Sequence, residues 1–166
     1  MFDRSKTVAI FGYNRSNLFR LHTSKGIKNA PERIRTFLEA YLPKLKKEGY
    51  ESVLLTGELG TNPIVADVAK KVGLDVTLVF PTEERKKDIE REMKYIREDQ
   101  EGELRLSKEM LNTDNVYFSF SDDNNAPNDG FEEWRVRLAD MFALSSSVVS
   151  IASYTIVTGK RRNSRG

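Results

Sequence analysis

At 166 residues, with 39% apolar and 31% charged side chains, the chain has the length and composition of one globular domain, which excludes general disorder. It contains no cysteine and a single histidine, His22, so disulfides, thiolate nucleophiles, zinc ribbons and histidine-rich metal sites are excluded. The net charge is +2, but Lys160, Arg161, Arg162 and Arg165 supply four positive charges at the end, and removing them leaves −2 for the body. A basic nucleic-acid-binding face is therefore not expected. No apolar run is long enough for a membrane span, and the first residues lack the apolar core of a signal peptide, which predicts a cytoplasmic protein.

Val8 to Phe11 is a continuous apolar run ended by Gly12, the pattern of a strand buried on both faces. Ile34, Phe37, Leu38, Tyr41 and Leu45 then recur at helical spacing behind Pro31, predicting a helix that kinks or ends early at Pro43. A second strand is expected at Val53 to Leu55. A second helix carries Ile64, Val65, Val68, Ala69 and Val72, opened by Asn62 as cap and Pro63 as first residue and closed by Gly73.

Val76 to Phe80 reads as a third strand, followed by a helix capped by Thr82 with Glu83 and Glu84 in its first turn and a stripe of Ile89, Met93 and Ile96. Val116 to Phe120 reads as a strand nearer an edge. Residues 121–130 match parts of a calcium-loop spacing, but Ala126 and Pro127 occupy the ligand and glycine positions, so they read as a solvated loop. A helix from about Phe131 to Leu144 and a strand at Val148 to Ile151 follow.

This alternation predicts an α/β fold: a single Rossmann-like domain, with a mainly parallel sheet of about five strands and helices on both faces. It spans residues 1–158, with 159–166 as a basic, mobile tail.

Ligands of such sheets bind at the carboxyl ends of the strands. Two loops there carry suitable chemistry. Gly12, Tyr13, Asn14 and Arg15 offer a flexible turn, a ring, an amide and a guanidinium. Thr56, Gly57, Glu58, Leu59, Gly60, Thr61 and Asn62 pass from strand to helix through two glycines, where backbone amides and the helix dipole attract phosphate. The plainer alternative is that these glycines merely allow tight turns. Neither a Walker sequence nor the dinucleotide fingerprint is present. His22, with no carboxylate beside it, reads as structural.

Gly12-Tyr13-Asn14 after the first strand, Leu55 to Gly60 running into Ile64 to Ala69, and Val76 to Pro81 together resemble the YpsA branch of the SLOG superfamily, which also contains the LOG phosphoribohydrolases and the DprA proteins. Arg137, Met141 and Ser145 are similar to that branch's pattern before its last strand. The likeness runs from about Lys6 to Ser153.

It implies a pocket for a nucleotide or a nucleotide-derived molecule such as an ADP-ribose derivative, with Pro81 and Arg137 joining the two loops. It also implies pairing through helices into a homodimer or a higher homo-oligomer. The large apolar residues Phe131, Trp134, Met141 and Phe142 on one predicted helix agree with that. No cofactor or metal is called for.

Where the LOG hydrolases carry a catalytic glutamate this chain has Ile64, leaving Glu58 and Asp67 as candidate catalytic carboxylates. Sensing or sequestering the ligand is therefore favoured over cleaving its N-glycosidic bond. A DprA-like nucleic-acid role comes third, against the charge of the body.

Overall fold

A computed structural model of the chain describes residues 3–16, 18, 30–96, 102–120, 130–152 and 155–160. Strand β1 (Thr7–Phe11) leads to α1 (Ala30–Lys47), β2 (Ser52–Leu55), α2 (Thr61–Val72), β3 (Asp75–Phe80) and α3 (Glu83–Glu92). Then follow α4 (Glu103–Leu111), β4 (Val116–Phe118), α5 (Gly130–Ala143), β5 (Ser147–Ala152) and β6 (Thr155–Lys160).

The strands form one sheet in the order β4-β3-β2-β1-β5-β6. The first five are parallel to their neighbours, and β6 pairs antiparallel with β5 at the edge. This is a Rossmann-like arrangement: the chain starts at the centre, works outward to β4, then crosses back to β5 on the other side of β1.

Continuous apolar runs became central strands because both sheet faces are covered. On one face Val8, Ile10, Val53, Leu55 and Leu78 join Leu38 and Leu42 of α1, Val65 and Ala69 of α2 and Met110 of α4 in the larger core. On the other, Ala9, Leu54 and Val79 lie against Met141 of α5, with Phe11 and Val148 alongside.

The expected helices and strands are present, with differences that have physical causes; the third helix ends at Glu92, where Met93 begins a 3-10 turn, and Ile96 lies beyond it in extended conformation. Helix α1 does not end at Pro43 but runs on to Lys47. Proline removes the hydrogen bond to the carbonyl four residues back, but Pro43 and Glu39 are both exposed, so water can serve that carbonyl while buried Leu42 and Leu45 hold the helix to the core.

Helix α2 starts earlier than expected. Its cap is Gly60, Asn62 lies inside the first turn, and Pro63 is the third residue rather than the first. Proline is tolerated there because the first-turn amides have no intrahelical acceptor in any case. Thr82 does cap α3, accepting from the Arg85 amide at 3.3 Å.

Strand β4 is the edge strand opposite β6 and stops at Phe118, after which the amides of Ser119 and Phe120 donate to the carbonyls of Phe80 and Pro81. Helix α4 and strand β6 are additional to the expected elements. Strand β6 includes Gly159 and Lys160; residues 161–166, His22, Phe131's side chain and the loop at 121–129 lie outside what is described. Among the described residues no helix is long and apolar enough to cross a membrane.

Candidate functional site

The two loops singled out in the sequence meet. Asn14 and Gly60 form an isolated antiparallel bridge, and the Thr61 amide donates to the Tyr13 carbonyl at 3.0 Å. The contact is so close that a Cβ on Gly60, at φ +108°, would stand 2.5 Å from the Asn14 carbonyl carbon and the Arg15 nitrogen. A Cβ on Gly12 would stand 2.6 Å from the Thr61 side chain, and one on Gly57 2.4 Å from the Phe80 ring. These glycines let other parts of the protein approach closely.

Other polar groups of the loops are engaged internally. Asn62 donates from Nδ2 to Thr56 Oγ1 at 2.9 Å and to the Glu58 carbonyl at 3.0 Å, bracing the turn instead of accepting amides as a cap. Arg15 holds Glu103 at the start of α4, Nε to Oε1 at 2.6 Å. Tyr13 packs against Leu18 and Ala30, and burial pushes its phenol pKa up. Leu59 and Thr61 are buried, and Thr61 Oγ1 has no hydrogen-bond partner.

Beyond these loops, at the ends of β2 and β3, lies a cleft of about 380 Å³ between α3 and α5. Glu58 and Pro81 form its floor with Phe80. Arg85, Asp88, Ile89 and Glu92 line it from α3, while Glu133, Trp134 and Arg137 line it from α5. Arg137 ties the two sides of the floor together, donating from Nη2 to Glu58 Oε1 at 2.9 Å. Its side chain is only 9% exposed, and Nε is buried without a partner. Across the cleft Arg85 pairs with Glu133 at 2.9 Å. Its volume is in the lower part of the roughly 300–1,000 Å³ usual for small-molecule sites.

The structure thus gathers Glu58, Pro81 and Arg137 in one cleft. It places Gly12 to Arg15 and Gly60 to Asn62 against each other beside it. Asp67 is elsewhere: it lies 2.7 Å from Arg35 of α1 and 3.1 Å from Lys71, fastening α2 to α1. Burial alone would raise its pKa, but hydrogen bonds from Arg35 and Lys71, with their charges, hold it below the ordinary value.

A depressed folded pKa stabilises above the unfolded value, about 3.9, and that contribution is lost as pH falls through the folded pKa. Asp67→Asn is therefore expected to lose about 1–2 kcal/mol at pH 7 in urea titrations, with the gap to the parent closing at acid pH. A pH-independent gap would mean that the charge contributes nothing.

The lining from α3 was not singled out in the sequence, although Arg85, Asp88, Ile89 and Glu92 recur at i, i+3, i+4 and i+7, the signature of one helix face. Among the described residues no group of three or more histidines or carboxylates is placed to hold a metal ion. In comparisons with known proteins, no family model and no curated protein matches the chain.

Proposed function

We propose that the protein binds a nucleotide or nucleotide-derived small molecule, such as an ADP-ribose derivative, in the cleft between α3 and α5, and senses or sequesters it. The observation that carries this reading is Arg137: a guanidinium almost wholly buried in the floor of the cleft, with Glu58 taking one nitrogen and Nε unspent. A buried donor without an acceptor costs free energy, a cost that a ligand drawing the guanidinium toward itself would offset. The cleft lies at the carboxyl ends of parallel strands, where α/β sheets bind ligands, and Glu58 is suited to accept from ribose hydroxyls. The family resemblance in the sequence supports the same class of ligand, and a chain without cysteine suits the cytosol.

Native mass spectrometry of protein purified without added ligand tests the reading. A sequestering protein is expected to retain a nucleotide-derived mass that is released on denaturation. The same spectrum reports assembly. A homodimer is proposed from the family resemblance and from Phe118, 37% exposed on the edge strand, whereas Met141 of the expected pairing helix is buried against the sheet; the expected species is near twice the 19.0 kDa chain mass. Spectra showing only the bare chain mass would count against both.

Glu58 favours a second reading, hydrolysis of an N-glycosidic bond, because it is the candidate carboxylate in the cleft and could stabilise an oxocarbenium-like state. Chromatography showing release of adenine from AMP, lost in Glu58→Gln, would select it. A DprA-like role on nucleic acid has less support, since four carboxylates and two guanidinium groups line the cleft.

A further inference from the structure

We infer that the cleft recognises the amino-bearing edge of the ligand's base, with Glu92 accepting from the amino group and the ring laid against Trp134. This rests on the nucleotide reading above and names which part of the molecule enters the cleft.

The charges of the lining decide it. Glu58, Asp88, Glu92 and Glu133 face Arg85 and Arg137, an excess of two carboxylates. Arg85 is occupied by Glu133 at 2.9 Å and Asp88 at 3.5 Å, and Asp88 also receives Arg91 at 2.5 Å. Glu92, half-buried at the end of α3, has no hydrogen bond or ion pair among the described residues. A half-buried carboxylate is acceptor-only, so the group that completes it must donate. A phosphate placed against it would be repelled.

One unspent acceptor, Glu92, therefore lines the cleft that the Arg137 guanidinium also lines. The apolar lining of Phe80, Pro81 and Ile89, with the indole of Trp134, suits a flat ring. A flat ring carrying an exocyclic amino donor meets both demands, and an aminopurine is such a ring. At the loops after β1 and β2 the Thr61 amide and Arg15 are already engaged by Tyr13 and Glu103. The base, not the phosphate, thus enters the cleft.

Trp134 is the only tryptophan in the chain, so intrinsic fluorescence reports on the cleft directly. The probes are AMP and purine riboside 5′-monophosphate, which differ only in hydrogen replacing the 6-amino group. AMP is expected to quench saturably and to bind about 10-fold or more tighter, the scale of a hydrogen bond to a charged acceptor. In Glu92→Met, which keeps length and helix propensity but accepts nothing, the two should fall within about twofold of each other. Equal binding of both probes to the parent, or a preference for AMP that survives in Glu92→Met, would overturn the inference and leave the nucleotide reading standing. Saturable quenching by neither probe would remove that reading and this inference with it.

Discussion

Gly60→Ala is expected to destabilise the fold more than any other single methyl added at a described glycine with positive φ. The new Cβ would stand 2.5 Å from backbone atoms of Asn14 and Arg15, and the backbone φ of +108° is itself unfavourable for alanine. Backbone cannot swing aside as a flexible side chain does, so strain and overpacking add, to roughly 3–5 kcal/mol. Against a total stability of roughly 5–15 kcal/mol, this shifts the urea midpoint far down. Gly49→Ala separates the two contributions, because Gly49 has φ +100° with nothing within 4 Å of the added atom. That variant should lose only about 1–2 kcal/mol, from backbone strain alone. Equal losses in the two variants would show that the loop after β1 yields freely and that its contact with Gly60 carries little energy.

The apolar runs at Val8, Val53, Val76 and Val148 and the stripes between them identified the parallel sheet, because burial on both faces leaves few polar residues in a strand. Strand β6 and helix α4 were harder to read. Thr155–Lys160 has only Ile156 and Val157 as large apolar residues, and its place is fixed by six pairings with β5, a long-range fact. Helix α4 buries Leu106, Ser107, Met110 and Leu111, a stripe interrupted by a serine and following a strongly charged stretch.

At the candidate site, the glycines of the β2–α2 loop drew attention to the carboxyl ends of the strands, but a glycine does not reveal what approaches it. Gly12 approaches a side chain, Gly57 a ring and Gly60 another backbone. The α3 lining was periodic in the sequence, yet charges at helical spacing describe a solvated face equally well. Only the packing of α5 opposite α3 makes a cleft of it, and α5 arrives there by a crossover from β4 at one edge to β5 beyond β1.

Arg137→Met is expected to separate binding from stability. The arginine side chain is 9% exposed with Nε unpartnered, so the folded protein already bears a desolvation cost that methionine, similar in length and apolar, would relieve. Its partner Glu58 is 39% exposed and stays hydrated when the guanidinium is gone, so loss of the 2.9 Å ion pair costs little. The two effects oppose each other, and the unfolding free energy should change by no more than about 1 kcal/mol. Binding behaves differently, because a charge-assisted hydrogen bond made only with the ligand is worth roughly 1.5–3 kcal/mol, and calorimetry with ADP-ribose should show affinity falling about 10-fold to 150-fold. Arg137→Lys, which keeps the charge but not the planar fork, should fall between. Unchanged affinity in Arg137→Met would remove the guanidinium from the site. A stability loss above about 3 kcal/mol would make it a structural pin between α5 and the β2–α2 loop, since only an arginine whose buried hydrogen bonds outweigh its desolvation cost would be missed so strongly.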